Sequence, residues 1–260
     1  MLAALASAGC GGGTQVAQPR PQPRILQTLR RGHARGHAAA TATERLAGLG
    51  LPVYCGGHSR RLVALTFDDG PGPYTKLAIR KLRFHHSRAT FFLVGRSILH
   101  FPGLARRDAS VAAIGDHTMT HPFLPALAPA AMRAEISDAK TLIERAARVP
   151  VLVFRPPYEG RTPKIDAVAR SLGMLEVLWD VDSRDSEGAD YAGIQRNVIA
   201  GLRPGAIVLM HENRGQTIRA LPAIFQALAD RHLRSVSVPA LMALDPPSVS
   251  QLHAGFRGCR

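Results

Sequence analysis

From about residue 51 onward, short apolar runs alternate with amphipathic stretches. Runs at 62–67, 89–94, 110–114, 151–154, 175–179, 206–210 and 235–238 have strand length and strand composition. Between them, apolar residues fall at helical spacing near 74–86, 97–107, 129–148, 163–172, 190–202 and 217–232. The stretch from Ala128-Pro129 to Ala147 carries the clearest helix signal, with a proline near its start. Strict alternation of strand and helix predicts an α/β fold with a parallel sheet. Seven strands, several ending in polar residues, suit a closed or nearly closed barrel better than an open sheet. No dinucleotide-type glycine fingerprint follows the first strand.

Polar residues gather where the apolar runs stop. Leu62 to Phe67 ends in Asp68-Asp69 and then Gly70-Pro71, which places two carboxylates at a sheet rim; read alone, Asp-Asp-Gly also makes a plain turn. His117-Thr118-Met119-Thr120-His121 follows another run, and on a helical turn its two imidazoles share one face. With Asp69 they form a two-histidine, one-carboxylate set with positions left for water and substrate. Such a set suits Zn2+ and accommodates Co2+, Mn2+ or Ni2+. Asp68, beside a ligand, is placed as general base. Arg155-Pro156-Pro157-Tyr158 ends a fourth run: its prolines fix where the Tyr158 amide points, and Arg155 can pair with Asp68. The bland alternative is a proline-rich loop with a surface arginine. Trp179 to Asp185 and Leu209-Met210-His211 complete the pattern, with His211 a candidate general acid if a carboxylate faces it.

Charge and composition narrow the setting. Lys and Arg outnumber Asp and Glu by 33 to 19, a formal charge of +14, and 46% of residues are hydrophobic. A basic chain favours anionic surroundings, but with no nucleic-acid motif and little aromatic interleaving, nucleic acid is not an expected partner. Residues 1–13 resemble the end of a secretion signal leading to Cys10, a candidate lipid anchor, although Ser7 stands where leucine is usual and no basic segment precedes it. The true start is therefore expected upstream of Met1. Residues 14–50, with six arginines and one glutamate, read as a disordered, solvated tether, and residues 51–260 as the folded domain. No apolar run reaches the roughly 18 residues a membrane-spanning helix needs, so membrane contact is expected only through the anchor.

Taken in order, Thr66-Phe67-Asp68-Asp69-Gly70, His117 to His121, Arg155 to Tyr158, Trp179 to Asp185 and Leu209 to His211 resemble the five motifs of the polysaccharide deacetylases. This is carbohydrate esterase family 4, the NodB-homology family, and the resemblance spans roughly residues 60–240. It implies a distorted (β/α) barrel of about seven parallel strands. It also implies Asp68 as catalytic base, Asp69, His117 and His121 as ligands of a metal that is usually zinc, and Arg155 as the group orienting Asp68. The Tyr158 amide, set by Pro157, would bind the oxyanion, and His211, tuned by Asp182, would protonate the leaving amine. Trp179 and Leu209 would line the pocket for the acetyl methyl. Three positions depart from the pattern: Ser186 stands where Trp is frequent, Asp116 where Asn is common, and Pro156 where the motif varies. Asp116 is a candidate partner for a ligand histidine.

In an oxidising compartment Cys55 and Cys259, which flank the domain, are candidates for a disulfide. An exported, monomeric enzyme acting on peptidoglycan N-acetylglucosamine is the expectation, with chitooligosaccharide or acetylated xylan as alternative substrates. A sugar-binding module with a dead site is the alternative of another class; the intact Asp68, Asp69, His117, His121 and His211 oppose it.

Overall fold

Every predicted strand run lies in one parallel sheet. The computed structural model describes residues 24–259, with side-chain surroundings from Gly36 onward. The elements run α1 (Arg24–Leu49), β1 (Leu62–Gly70), α2 (Thr75–Phe84), β2 (Ala89–Leu93), α3 (Gly95–His100), α4 (Leu104–Asp108), β3 (Ala112–Asp116) and α5 (Pro129–Ala147). They continue with β4 (Val153–Phe154), α6 (Pro163–Ser171), β5 (Leu175–Glu176), β6 (Val181–Asp182), α7 (Tyr191–Gly201), β7 (Ile207–His211), α8 (Gly215–Asp230), β8 (Arg234–Val236), α9 (Val238–Leu244) and α10 (Val249–Ala254). The strand order is β5-β4-β3-β2-β1-β7-β6, with β8 pairing the first residues of β1. The two ends of that order, β5 and β6, are separated in the chain by residues 177–180 alone, so the sheet curls until its edges approach. This is the distorted (β/α) barrel. Its ordered path holds the expected seven strands, and short β8 joins beside β1 off that path; β6, only two residues long, carries no apolar run of its own.

Side-chain alternation divides the strands between two cores. Val63, Leu65 and Phe67 of β1 and Val208 and Met210 of β7 face a large core under the outer helices. Leu62, Ala64, Phe92, Val153, Val177 and Ile207 face a smaller one inside the curl, where Val238, Leu241 and Met242 of α9 join them. The inner series continues upward into Thr66 and Asp68 on β1, Arg155 after β4, Trp179 after β5, and Leu209 and His211 on β7. The residues that alternation turns inward at the strand ends are therefore the polar ones.

Arg35–Arg260 forms one compact unit. The stretch read as a tether is helical from Arg24 to Leu49, and Ala42, Thr43 and Ala47 are buried, with Ala47 in the inner core. Small alanines bury too little surface to produce a visible apolar stripe, which is why periodicity missed this helix. The signal-like residues 1–13, Cys10 and the start of the tether lie outside the described residues. Cys55 and Cys259 form a disulfide, with Cα atoms 5.8 Å apart. Among the described residues, no helix is long and apolar enough to cross a membrane.

Candidate active site

Asp68 and Asp69 are neighbours on β1, so plain strand alternation sends them to opposite faces. Asp69 instead takes φ 69°, and the pairing of β1 with β2 shifts register between Phe67 and Gly70. Aspartate tolerates this left-handed conformation better than most residues. The break turns both carboxylates toward the mouth of the barrel, with His117 Nε2 3.7 Å from Asp68 Oδ2 and 3.7 Å from Asp69 Oδ1.

His121 completes the set, its Nε2 3.2 Å from Asp69 Oδ1. The two imidazoles do not share a helical turn. Residues 117–121 form a loop in which Thr118 and His121 have φ of 69° and 64°, and the rings meet edge to face at 4.8 Å. Each ring is held by its other nitrogen: His117 Nδ1 donates to the Arg155 carbonyl at 2.6 Å, and His121 Nδ1 lies 3.1 Å from the Tyr158 hydroxyl. Both Nε2 atoms are thereby left to face Asp69, and one donor atom from each of the three residues lies within 4.8 Å of the others. Burial and the neighbouring His117 lower the His121 pKa and favour its neutral, ligating form. Two imidazoles and a carboxylate converging in this way fit a divalent metal. Asp116 is not a partner to either ring. It is buried, and its Oδ1 accepts the Thr118 N–H at 2.8 Å, bracing the loop instead.

Arg155 is wholly buried and fully engaged. Its guanidinium donates to Asp68 Oδ1 at 2.9 Å, Thr66 Oγ1 at 2.8 Å, the Val177 carbonyl at 2.9 Å and the Leu178 carbonyl at 3.0 Å. It also rests on the Phe92 ring at 4.2 Å, with Trp179 at 5.5 Å. Burial lowers its pKa and the Asp68 carboxylate opposes that shift; an arginine remains charged regardless. Asp68 is thus clamped from below, with Oδ2 left toward the mouth.

The acid partner of His211 is Asp185 and not Asp182. Val181 faces the outer core, so Asp182 faces the cleft, where its Oδ1 accepts the Arg184 N–H at 2.7 Å. Arg184 then turns the chain with φ 57°, and Asp185 comes back behind β7. Its Oδ1 lies 2.6 Å from His211 Nδ1, its Oδ2 accepts the His211 backbone N–H at 2.7 Å, and the Thr217 hydroxyl also donates to it. Burial alone pushes the His211 imidazole down, but the Asp185 hydrogen bond and charge, with Asp68 and Asp69 nearby, outweigh it and hold the pKa at about 9. The same contacts hold Asp185 below its ordinary value against the opposing effect of its burial. Nothing in the spacing distinguished Asp185 from Asp182, since only the path of the turn separates them.

A cleft of about 630 Å3 opens over these groups, lined also by Trp179, Leu209, Pro156 and Tyr158. Pro157 is not on its wall: it is buried beneath the turn, and Pro156 takes that place. Tyr158 sits at φ 59°, and its N–H meets no acceptor among the described residues. Farther out, Glu159, Asp182 and Glu187 give the cleft an acidic wall, and Ser186 lies beside them. Arg214 is its cationic exception, and its guanidinium has no hydrogen bond or ion pair among the described residues.

Residues 56–177 match the family model described as polysaccharide deacetylase. A chitooligosaccharide deacetylase of Bradyrhizobium sp. (strain ANU 289) is 35% identical over 198 residues, covering 70% of this chain and 90% of that protein. A peptidoglycan-N-acetylglucosamine deacetylase of Bacillus cereus is 31% identical over 195 residues, covering 73% and 71%. The crystal structure of the Bc1960 peptidoglycan N-acetylglucosamine deacetylase superposes with TM-score 0.71 at 31% identity, covering 74% of this chain and 92% of that one.

Proposed function

Because the chain belongs to the polysaccharide deacetylase family, a metal-dependent group of hydrolases acting on carbon–nitrogen bonds, we propose that it removes N-acetyl groups from the N-acetylglucosamine of peptidoglycan. The observation that carries the activity is the pair of opposed proton-transfer groups at the mouth: Asp68, clamped by Arg155, and His211, clamped by Asp185, on registered positions of β1 and β7.

Asp69, His117 and His121 would hold the metal, with zinc the choice that the donor set favours. When bound, it supplies Lewis acidity to the acetyl carbonyl and to the attacking water. Asp68 takes the proton of that water as its oxygen adds to the carbonyl carbon. The Tyr158 N–H donates to the developing oxyanion. His211, doubly protonated below about pH 9, gives a proton to the departing nitrogen, the carbon–nitrogen bond breaks, and acetate and a free amino sugar result. Trp179 and Leu209 wall the space for the acetyl methyl.

One observation supports peptidoglycan over the neutral glycans, and a second supports the compartment. Unpaired Arg214 on an otherwise acidic cleft wall suits a carboxylate of the stem peptide that the muramic acid beside each N-acetylglucosamine carries. The Cys55–Cys259 disulfide suits an extracytoplasmic enzyme. Acetate release from peptidoglycan, chitooligosaccharide and acetylated xylan, after chelation and after adding zinc back, tests the reading. Peptidoglycan should be the best substrate and activity should return with zinc. Release that is absent throughout points to a sugar-binding module, and a preference for chitooligosaccharide overturns the substrate.

A further inference from the structure

Away from the cleft, α2 has an unusual outer face. Its sequence, TKLAIRKLRF, holds four cations and no acid. Thr75, Ala78, Ile79 and Leu82 are buried against the barrel. The outward side shows Lys76, Arg80 and Arg83, with Lys81 half-buried, and between them Leu77 and Phe84, seven residues apart and so on one face. Phe84 is 78% exposed, more than any other large apolar residue in the described chain.

The surroundings extend this charge rather than neutralise it. Neighbouring α4 presents Arg106 and Arg107, while its one acid, Asp108, is buried. Arg88 lies just beyond α2, where Arg83 donates to the Ser110 hydroxyl at 2.8 Å and Arg88 to the Ser110 carbonyl at 3.2 Å. These guanidiniums border a recess of about 360 Å3 with His86 and Ser87. Among the described residues, none of these cations pairs with a carboxylate, although other basic residues of the chain, Lys140, Arg155, Arg161, Arg184 and Arg203, do.

We propose that this α2–α4 face docks the protein on a bilayer surface bearing anionic lipid headgroups. The cations meet the phosphates, and Phe84 and Leu77 enter the boundary between headgroups and acyl chains. A phosphate-rich polymer would satisfy the cations equally well but would offer nothing to cover an exposed phenyl ring; that ring selects the lipid. The geometry also serves the chemistry. α2 starts just after Gly70, at the strand ends that carry Asp68 and Asp69, and runs back about 15 Å over its ten residues. Phe84, Arg88 and Arg107 therefore sit at the opposite end of the barrel, and docking there leaves the cleft open to polymer above the membrane.

Vesicle co-sedimentation of the full, unlipidated chain tests this. Phosphatidylcholine vesicles containing phosphatidylglycerol should bind it, pure phosphatidylcholine should not, and added salt should release it. Replacing Arg80, Arg83 and Arg88 by Gln should weaken binding roughly 100-fold, from about fivefold per cation. Phe84→Ser should also weaken it, while both variants keep wild-type acetate release from a soluble substrate and wild-type circular dichroism. A control that replaces Arg145, Arg148 and Lys164 should bind as the wild type does. The proposal is overturned if the control loses as much as the α2 variant, which would make the effect one of bulk charge. It is also overturned if Phe84→Ser binds vesicles normally, or if the α2 variant does.

Discussion

His211 and Asp185 show how one buried contact sets both a catalytic proton and part of the stability. With a folded pKa of about 9 against an ordinary value near 6.5, His211 stabilises the fold when protonated. That contribution, about 3 kcal/mol, is fully present below about pH 6.5 and is lost as pH rises to about 9. The activity should follow the same proton, so the alkaline limb of kcat/KM reports His211. Asp185→Asn should move that limb toward neutral pH, whereas Asp182→Asn should leave it in place. A pH–rate profile in which Asp182→Asn moves the limb would return the partner role to that residue. Asp68 gives a sharper test, because it has no redundancy: Asp68→Asn should lower kcat by roughly 100- to 10,000-fold. It should do so while zinc still raises Tm, since the ligands Asp69, His117 and His121 are untouched. In Asp69→Asn that zinc-dependent rise in Tm should shrink or vanish.

At the scale of elements, what the sequence made legible was what alternation could carry. β1 and β7 announced themselves because their apolar runs end in Asp68-Asp69 and His211, and period two then fixed which of their residues face the interior. Three features depend on backbone turns that pattern does not record. These are the left-handed Asp69, the looped His117–His121 pair that reads as a helical turn, and the reversal at Arg184 that brings Asp185 behind His211. β6 and α1 were missed for want of signal: one is two residues long and the other buries alanines. Packing between strands is equally silent in the sequence. Gly115 on β3 faces the Phe92 ring, and a Cβ there would lie 2.4 Å from Phe92 Cδ1 and 3.0 Å from Val153. Phe92 in turn supports Arg155. Gly115→Ala should therefore cost about 1–3 kcal/mol in urea unfolding. It should also reduce kcat, because displacing the ring disturbs the arginine that holds Asp68; unfolding at the wild-type urea midpoint would show that the ring yields freely.

Across the whole molecule, the segment that follows α1 is tied to the far end of the described chain. The Cys55–Cys259 bond closes a loop of 204 residues around the barrel, and Arg203 Nε donates to the Cys259 carbonyl at 3.1 Å to hold the same terminus. Cross-linking so long a loop restricts the unfolded chain most, and the chain-entropy argument sets its contribution at about 5 kcal/mol. Neither cysteine lines the cleft, and the clamps on Asp68 and His211 come from Arg155 and Asp185 alone. Loss of the bond should therefore separate stability from catalysis. The Cys55→Ser, Cys259→Ser double variant should melt well below the wild type, and reducing agent should lower the wild-type Tm toward it. Below its melting transition, the variant should retain wild-type kcat/KM. A matching fall in kcat/KM at low temperature would mean that the disulfide also shapes the mouth of the barrel, and an unchanged Tm would mean that the chain ends are held by packing and Arg203 without it.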